Sequence, residues 1–253
     1  MPLFNFSIIE PASIVPSPMP TWYWLTDGYF WMQLGDKKFL EASNEEEGDT
    51  TRIANYLVDR YVQDLALVFV GIAEEVPDDL FELVCSYDLL VSYSSKVNSW
   101  LDDKIEDESI EDEVVYELNK VSEWIGDRLF SCMHLNGNPW VAFFRNKDRL
   151  IIIWDATGGH GLWTADSGEL EMSYHEFVAE VVNFTEAYFE QMDKHLDLAC
   201  RVKWVAPFDR EELYGQRNKV REEFNNRLKF LKGDASQNTD WDLIRRILAE
   251  ASK

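Results

Sequence analysis

The stretch WVAFFRNKDRLIIIWDA constrains this chain more than any other. Two apolar, β-favouring runs flank the turn residues NKDR, which reads as a β-hairpin from Trp140 to Ala156. After GGHG, the segments LWTAD and ELEMS supply two more short strands, so a central antiparallel sheet is expected over residues 139–172. Ser173 with Glu176 then forms a capping box. It opens a long helix over 173–200 whose apolar stripe is Phe177, Val181, Phe184, Tyr188, Met192 and Leu196.

Upstream the period changes. Residues 1–42 read as an extended, proline-punctuated arm leading into an N-terminal β-hairpin. TWYWLTDG ends in an Asp-Gly turn signal, YFWMQL is aromatic and β-favouring, and after GDKK the segment FLEA returns as its partner. Residues 50–130 form a helical block. Thr50 or Thr51 caps a first helix with the stripe Ile53, Leu57, Tyr61, Leu65, Val68, Ile72 and Val76, which Pro77 ends. A second opens after Asp78 and Asp79 and runs through Leu83, Tyr87, Leu90 and Val91, with SYSSK weakening its second half. A third takes Ser109 and Asp112 as its capping box and sets Ile110, Val114, Leu118, Val121 and Ile125 on one face.

The fold class is therefore α+β, with a single domain over 1–200 and a C-terminal helical extension over 201–253. That extension reads as a helix from about Asp209 to Leu231, a GDASQN linker and a short helix from Asp240. Its first helix alternates Arg217, Lys219, Arg221, Arg227 and Lys229 with the apolar positions Leu213, Val220, Phe224, Leu228 and Leu231. Such a face docks on its own chain or on a second subunit, as in a homodimer, rather than on nucleic acid.

At 253 residues, 46% apolar and 14% aromatic, the chain has the means to fold despite a net charge of −23. The charge is uneven. Residues 41–127 carry 24 acidic against 5 basic side chains, 19 of the 23 net negative charges, whereas residues 201–253 carry 12 basic against 9 acidic. An acidic field repels nucleic acid and anionic lipid and draws a basic protein partner. The proline-broken N-terminus lacks a secretory pattern, and the longest apolar run, LALVFVGIA, is far shorter than the roughly 20 residues of a bilayer span. A cytoplasmic protein without membrane contact is expected. Cys85, Cys132 and Cys200 are widely spaced in apolar patterns, as reduced thiols are.

The segment TWYWLTDGYFWMQLGDKKFLEA resembles the N-terminal signature of an uncharacterised bacterial domain family, with a tryptophan-rich strand, a Leu-Thr-Asp-Gly turn and a second aromatic strand. WVAFFRNKDRLIIIWDA is similar to that family's central hairpin ending in Trp-Asp, and LWTADSGELEMSYHEFVAEVVNF to its Trp-Thr-Ala strand and following helix. The resemblance covers most of residues 1–200 and implies no particular reaction. The basic-leaning segment after about Arg201 departs from it.

Three stretches could carry function. Trp22, Trp24 and Trp31 fit a covered core better than a ligand clamp. In WDATGGHGLW, Trp154, Asp155 and His160 are the alternative ligand site, with Asp155 and His160 as base and acid of a small-molecule enzyme or regulator. No nucleophile motif, phosphate loop or metal-ligand spacing accompanies them: His134, His160, His175 and His195 never pair at ligand spacing, so no cofactor and no metal are expected.

The third stretch is WLDDKIEDESIEDEVVYEL, with eight carboxylates against one lysine from Asp102 to Glu113. Glu111, Asp112 and Glu113 fall in a first helical turn, where the dipole favours negative charge. Asp102, Asp103, Glu106, Asp107 and Glu108 have no such local reason. With Trp100 as an aromatic anchor they form the expected partner-binding surface, the alternative being a solvated, solubility-promoting loop. The leading expectation is a non-catalytic immunity protein that neutralises a nuclease-like bacterial toxin by occluding its basic active site.

Overall fold

The computed structural model describes residues 1–14, 21–43, 52–105, 112–204, 209–233 and 239–251. The hairpin that dominates the sequence is the middle of the molecule. Strands β5 (Leu129–Ser131), β6 (Trp140–Asn146), β7 (Arg149–Asp155) and β8 (Ser167–Ser173) form an antiparallel sheet in that order. Register runs from Trp140 opposite Asp155 to Asn146 opposite Arg149.

Alternate side chains of β6 and β7 enter two different cores. Val141, Phe143, Leu150, Ile152 and Trp154 face one; Ala142, Phe144, Ile151 and Ile153 face the other. Burial on both faces explains why these strands read as continuous apolar runs rather than alternating ones.

The first core is closed by an N-terminal sheet and four helices. Strand β2 (Asp27–Leu34) pairs with β1 (Phe4–Ile8) along one edge, and with β3 (Lys37–Phe39) and then β4 (Asn55–Leu57) along the other. Against these lie α1 (Val58–Leu67), α2 (Phe69–Ala73), α6 (Tyr174–Ala199) and α7 (Arg210–Leu231). The stripe expected along α6 is buried at every position, and its Ser173–Glu176 capping box is formed in both directions. Leu213, Phe224, Leu228 and Leu231 of α7 are buried in this core, so its apolar face docks on its own chain.

The second core is helical. It comprises α3 (Asp78–Phe81), α4 (Tyr87–Ile105), α5 (Asp112–Gly126) and α8 (Trp241–Glu250), which supplies Ile244 and Ile247. No helix among the described residues is long and apolar enough to cross a membrane. The three cysteines are free, and Cys132 is fully buried.

Several elements differ from the sequence reading. Asp27 and Gly28 open β2 instead of turning the chain. The glycine is needed because a Cβ there would stand 2.2 Å from the Ser7 carbonyl oxygen of β1. The hairpin turns at Gly35-Asp36, with Gly35 left-handed at φ 62°. The first helix starts at Val58, because Asn55–Leu57 is held as a strand against β2; Thr50 and Thr51 lie outside the described residues. SYSSK is helical, carried by the buried stripe Leu90, Tyr93, Val97 and Leu101 of α4. LWTAD is not a strand of the central sheet. Trp163 instead makes an isolated antiparallel bridge to Ala42, and its indole donates to the Asn136 carbonyl at 3.0 Å.

Candidate interaction surface

The acidic end of the molecule is built by α4 and α5. They are joined by six residues, and the Tyr93 hydroxyl donates to the Val121 carbonyl at 2.8 Å, which locks them as an antiparallel pair. The last turn of α4 therefore lies beside the first turns of α5. Asp102 and Asp103 are exposed in that last turn, where the helix dipole opposes negative charge by roughly 0.3–1 kcal/mol each. Neither has an ion-pair partner among the described residues. Trp100 is half-buried against the second core, with the Lys104 ammonium 5.9 Å from its ring centre. Glu106, Asp107 and Glu108 lie outside the described residues, as do Ser109, Ile110 and Glu111.

Most of the α5 face that the sequence suggested packs on the second core, Leu118 and Ile125 being half-buried against it. Val121 and Trp124 are buried while Val114 is exposed. Tyr116, not singled out by its spacing, stands 62% exposed at this same acidic end, with the Lys120 ammonium 4.3 Å from its ring centre. An aromatic two positions off an apolar stripe was the available signal.

The alternative site is dispersed. Trp154 and Asp155 are neighbours on β7, so their side chains leave opposite faces of the sheet. The indole of Trp154 is buried in the first core against Gly168. Both carboxylate oxygens of Asp155 have partners: one accepts from the Thr157 amide and hydroxyl at 2.7 Å each, the other from the Tyr87 hydroxyl at 2.9 Å. His160 is exposed at the end of a short 3-10 turn, with left-handed φ of 49°. Of the tryptophans weighed as a clamp, Trp22 is a core residue donating to Asp59 at 3.0 Å, Trp31 is half-buried and Trp24 is 52% exposed.

Two buried charged groups escaped the sequence. Asp59, fully buried near the start of α1, also accepts from the Tyr188 hydroxyl at 2.8 Å and from Gln63; burial nevertheless pushes its carboxyl above the ordinary range. Arg128, between α5 and β5, is fully buried against Glu74. Among the described residues, no three His, Cys, Asp or Glu side chains gather as metal ligands would.

Two antiparallel sheets, one shared between two cores, and a C-terminal return of helices to both define an α+β protein. The chain belongs to DUF5984, a family of unknown function, whose model matches residues 3–247. That match extends past Arg201 through α7 and into α8. No curated protein and no solved structure matches significantly.

Proposed function

We propose that this protein is a non-catalytic binding protein that captures a basic protein, as an immunity protein would occlude the active site of a nuclease-like bacterial toxin in the cytoplasm. The observation that carries the reading is the placement of Asp102 and Asp103. They are exposed, opposed by their own helix dipole and without an internal cation among the described residues. Charge that costs stability where it stands is accounted for by a partner that supplies the opposite sign. Nucleases must present Lys and Arg to phosphate, and an acidic surface mimics that ligand. Tyr116 and Trp100 supply aromatic area beside the charge for the desolvated centre of such an interface. The engaged carboxylate of Asp155 supports a structural part for that residue.

The test is association of the purified chain with the product of the adjacent reading frame at several salt concentrations. Fast, salt-sensitive binding is expected. Asp102→Lys with Asp103→Lys should slow association about tenfold or more and flatten the salt dependence, with stability unchanged or higher. Normal association by that variant, or a neighbouring gene product that never binds, overturns the reading.

A further inference from the structure

The central sheet has an open edge at β5. Phe143 N donates to Arg128 O at 3.1 Å and Cys132 N to Pro139 O at 2.9 Å, so residues 128, 130 and 132 turn their backbone groups toward β6. By the alternation of an antiparallel ladder, Leu129 and Ser131 turn theirs outward. Those outward N–H and C=O groups have no partner among the described residues. Exposed edges are commonly blunted by lysine, proline or a covering element. Leu129-Phe130-Ser131 contains neither residue.

Beside this edge runs a groove of about 340 Å³. Arg60, Asp64 and Leu67, one face of α1, form one wall; Leu129, Ser131 and Met133 form the other. Met133 is 75% and Leu67 55% exposed, two large apolar side chains open to water in one groove. Its charge is fixed at the ends. Arg60 is tied to Asp64 at 2.9 Å, and Asp127 lines the groove where α5 ends.

We propose that β5 accepts an extended, basic segment of a partner protein as an added strand of the central sheet. Main-chain bonds would run to Leu129 and Ser131, alternate apolar side chains would settle on Leu67 and Met133, and a Lys or Arg would lie by Asp127. Charge selects the occupant. A chain of net charge −23 repels a second copy of itself and attracts a cationic strand. The inference rests on the reading of this chain as a binder of a basic protein, but on a surface separate from the α4–α5 end.

The test is fluorescence anisotropy of a labelled peptide, Lys-Leu-Lys-Leu-Lys-Leu-Lys, titrated with the whole chain. Controls are its Glu-for-Lys counterpart and a form with alternate backbone amides N-methylated. The basic peptide should bind at least about tenfold tighter than either control. Ser131→Pro removes one outward N–H without touching the β6 ladder, and Met133→Lys repels the cation; each should lose about tenfold in affinity. Should Ser131→Pro not fold by circular dichroism, Met133→Lys, at an exposed side chain, carries the comparison. Asp102→Lys with Asp103→Lys should change peptide binding less than about threefold. The proposal falls if the wild type binds no better than the controls, or if the α4 variant loses as much as the edge variants, which would reduce the effect to overall acidity. It also falls if the wild type forms a dimer that Ser131→Pro abolishes, since a second copy then holds the edge. The peptide reports on β5 alone, so failure here leaves the association test at α4 standing, and the reverse.

Discussion

The Arg128 guanidinium meets the Glu74 carboxylate at 3.0 Å, with the arginine wholly withdrawn from solvent. It stands beside the rings of Trp124 and Trp241, 5.5 Å from each centre. Glu74 also accepts from the Thr239 amide at 2.8 Å and from its hydroxyl. One ion pair thus joins α2, the junction of α5 with β5, and the entry to α8. Burial pulls the arginine's pKa down and Glu74 pushes back, so the charge is sustained by its partner.

Glu74→Ala should therefore leave a buried, uncompensated cation and cost about 3–5 kcal/mol in urea denaturation. Hydrogen exchange should rise first in α8, residues 241–250, which loses its Thr239 tether. A loss below about 1 kcal/mol would mean the pair is idle.

Asp59 should make stability fall as pH rises. Its folded carboxyl titrates above the ordinary value near 3.9 because burial outweighs the hydrogen bonds from Trp22, Tyr188 and Gln63. Between the unfolded and folded pKa the native state holds more protons, so stability declines with pH across that window and then levels. Asp59→Asn keeps the shape without the charge. Its stability relative to wild type should climb with pH above about 4 and then plateau. A flat difference in urea midpoints from pH 4 to 7 would contradict this.

Ser173→Ala removes the acceptor for the Glu176 amide, now 3.1 Å from the serine hydroxyl, and half of the box that starts α6. The cost should be about 1 kcal/mol by thermal or urea melting. Ser173→Asp should recover most of it. Because α6 lines the first core over 26 residues, the loss should appear in global unfolding rather than as local fraying.

His160→Gly should stabilise the chain by up to about 1 kcal/mol, since it relieves a left-handed backbone at φ 49°. Partner binding should stay within about threefold of wild type. A normally folded His160→Gly protein that has lost function would restore a chemical role to the Gly-Gly-His-Gly turn.

What the sequence made legible was local and periodic. The β6–β7 hairpin, the buried stripe of α6 and its capping box are each written within a few residues of themselves. Strand β1 was read as part of a loose arm because its pairing partner, β2, begins 19 residues further on. The helical SYSSK segment misled because polar residues on the outer face of α4 hid a sound inner stripe. Glu74 and Arg128 left no signal at all: they are 54 residues apart, in a chain with 47 acidic side chains. The same holds for the acidic surface. Its charges could be counted, but that Asp102 and Asp103 stand exposed toward the same end of the α4–α5 pair as Tyr116 follows from how the two helices meet.

The shared sheet has a consequence for the order in which the molecule can be made. The chain contributes to the first core, passes to the second with residues 76–124, serves both with β6 and β7, returns to the first with α6 and α7, and completes the second with Ile244 and Ile247. A ribosome releases those two isoleucines after every other buried member of either core. Until then the outer side of Ile151 and Ile153 has only part of its cover, and from their synthesis onward the nascent chain carries a half-lidded wall of isoleucine and aromatic side chains. Helix α8 is thus the step that closes the second core, and a ribosome pausing before residue 240 would hold the two cores in their most aggregation-prone form.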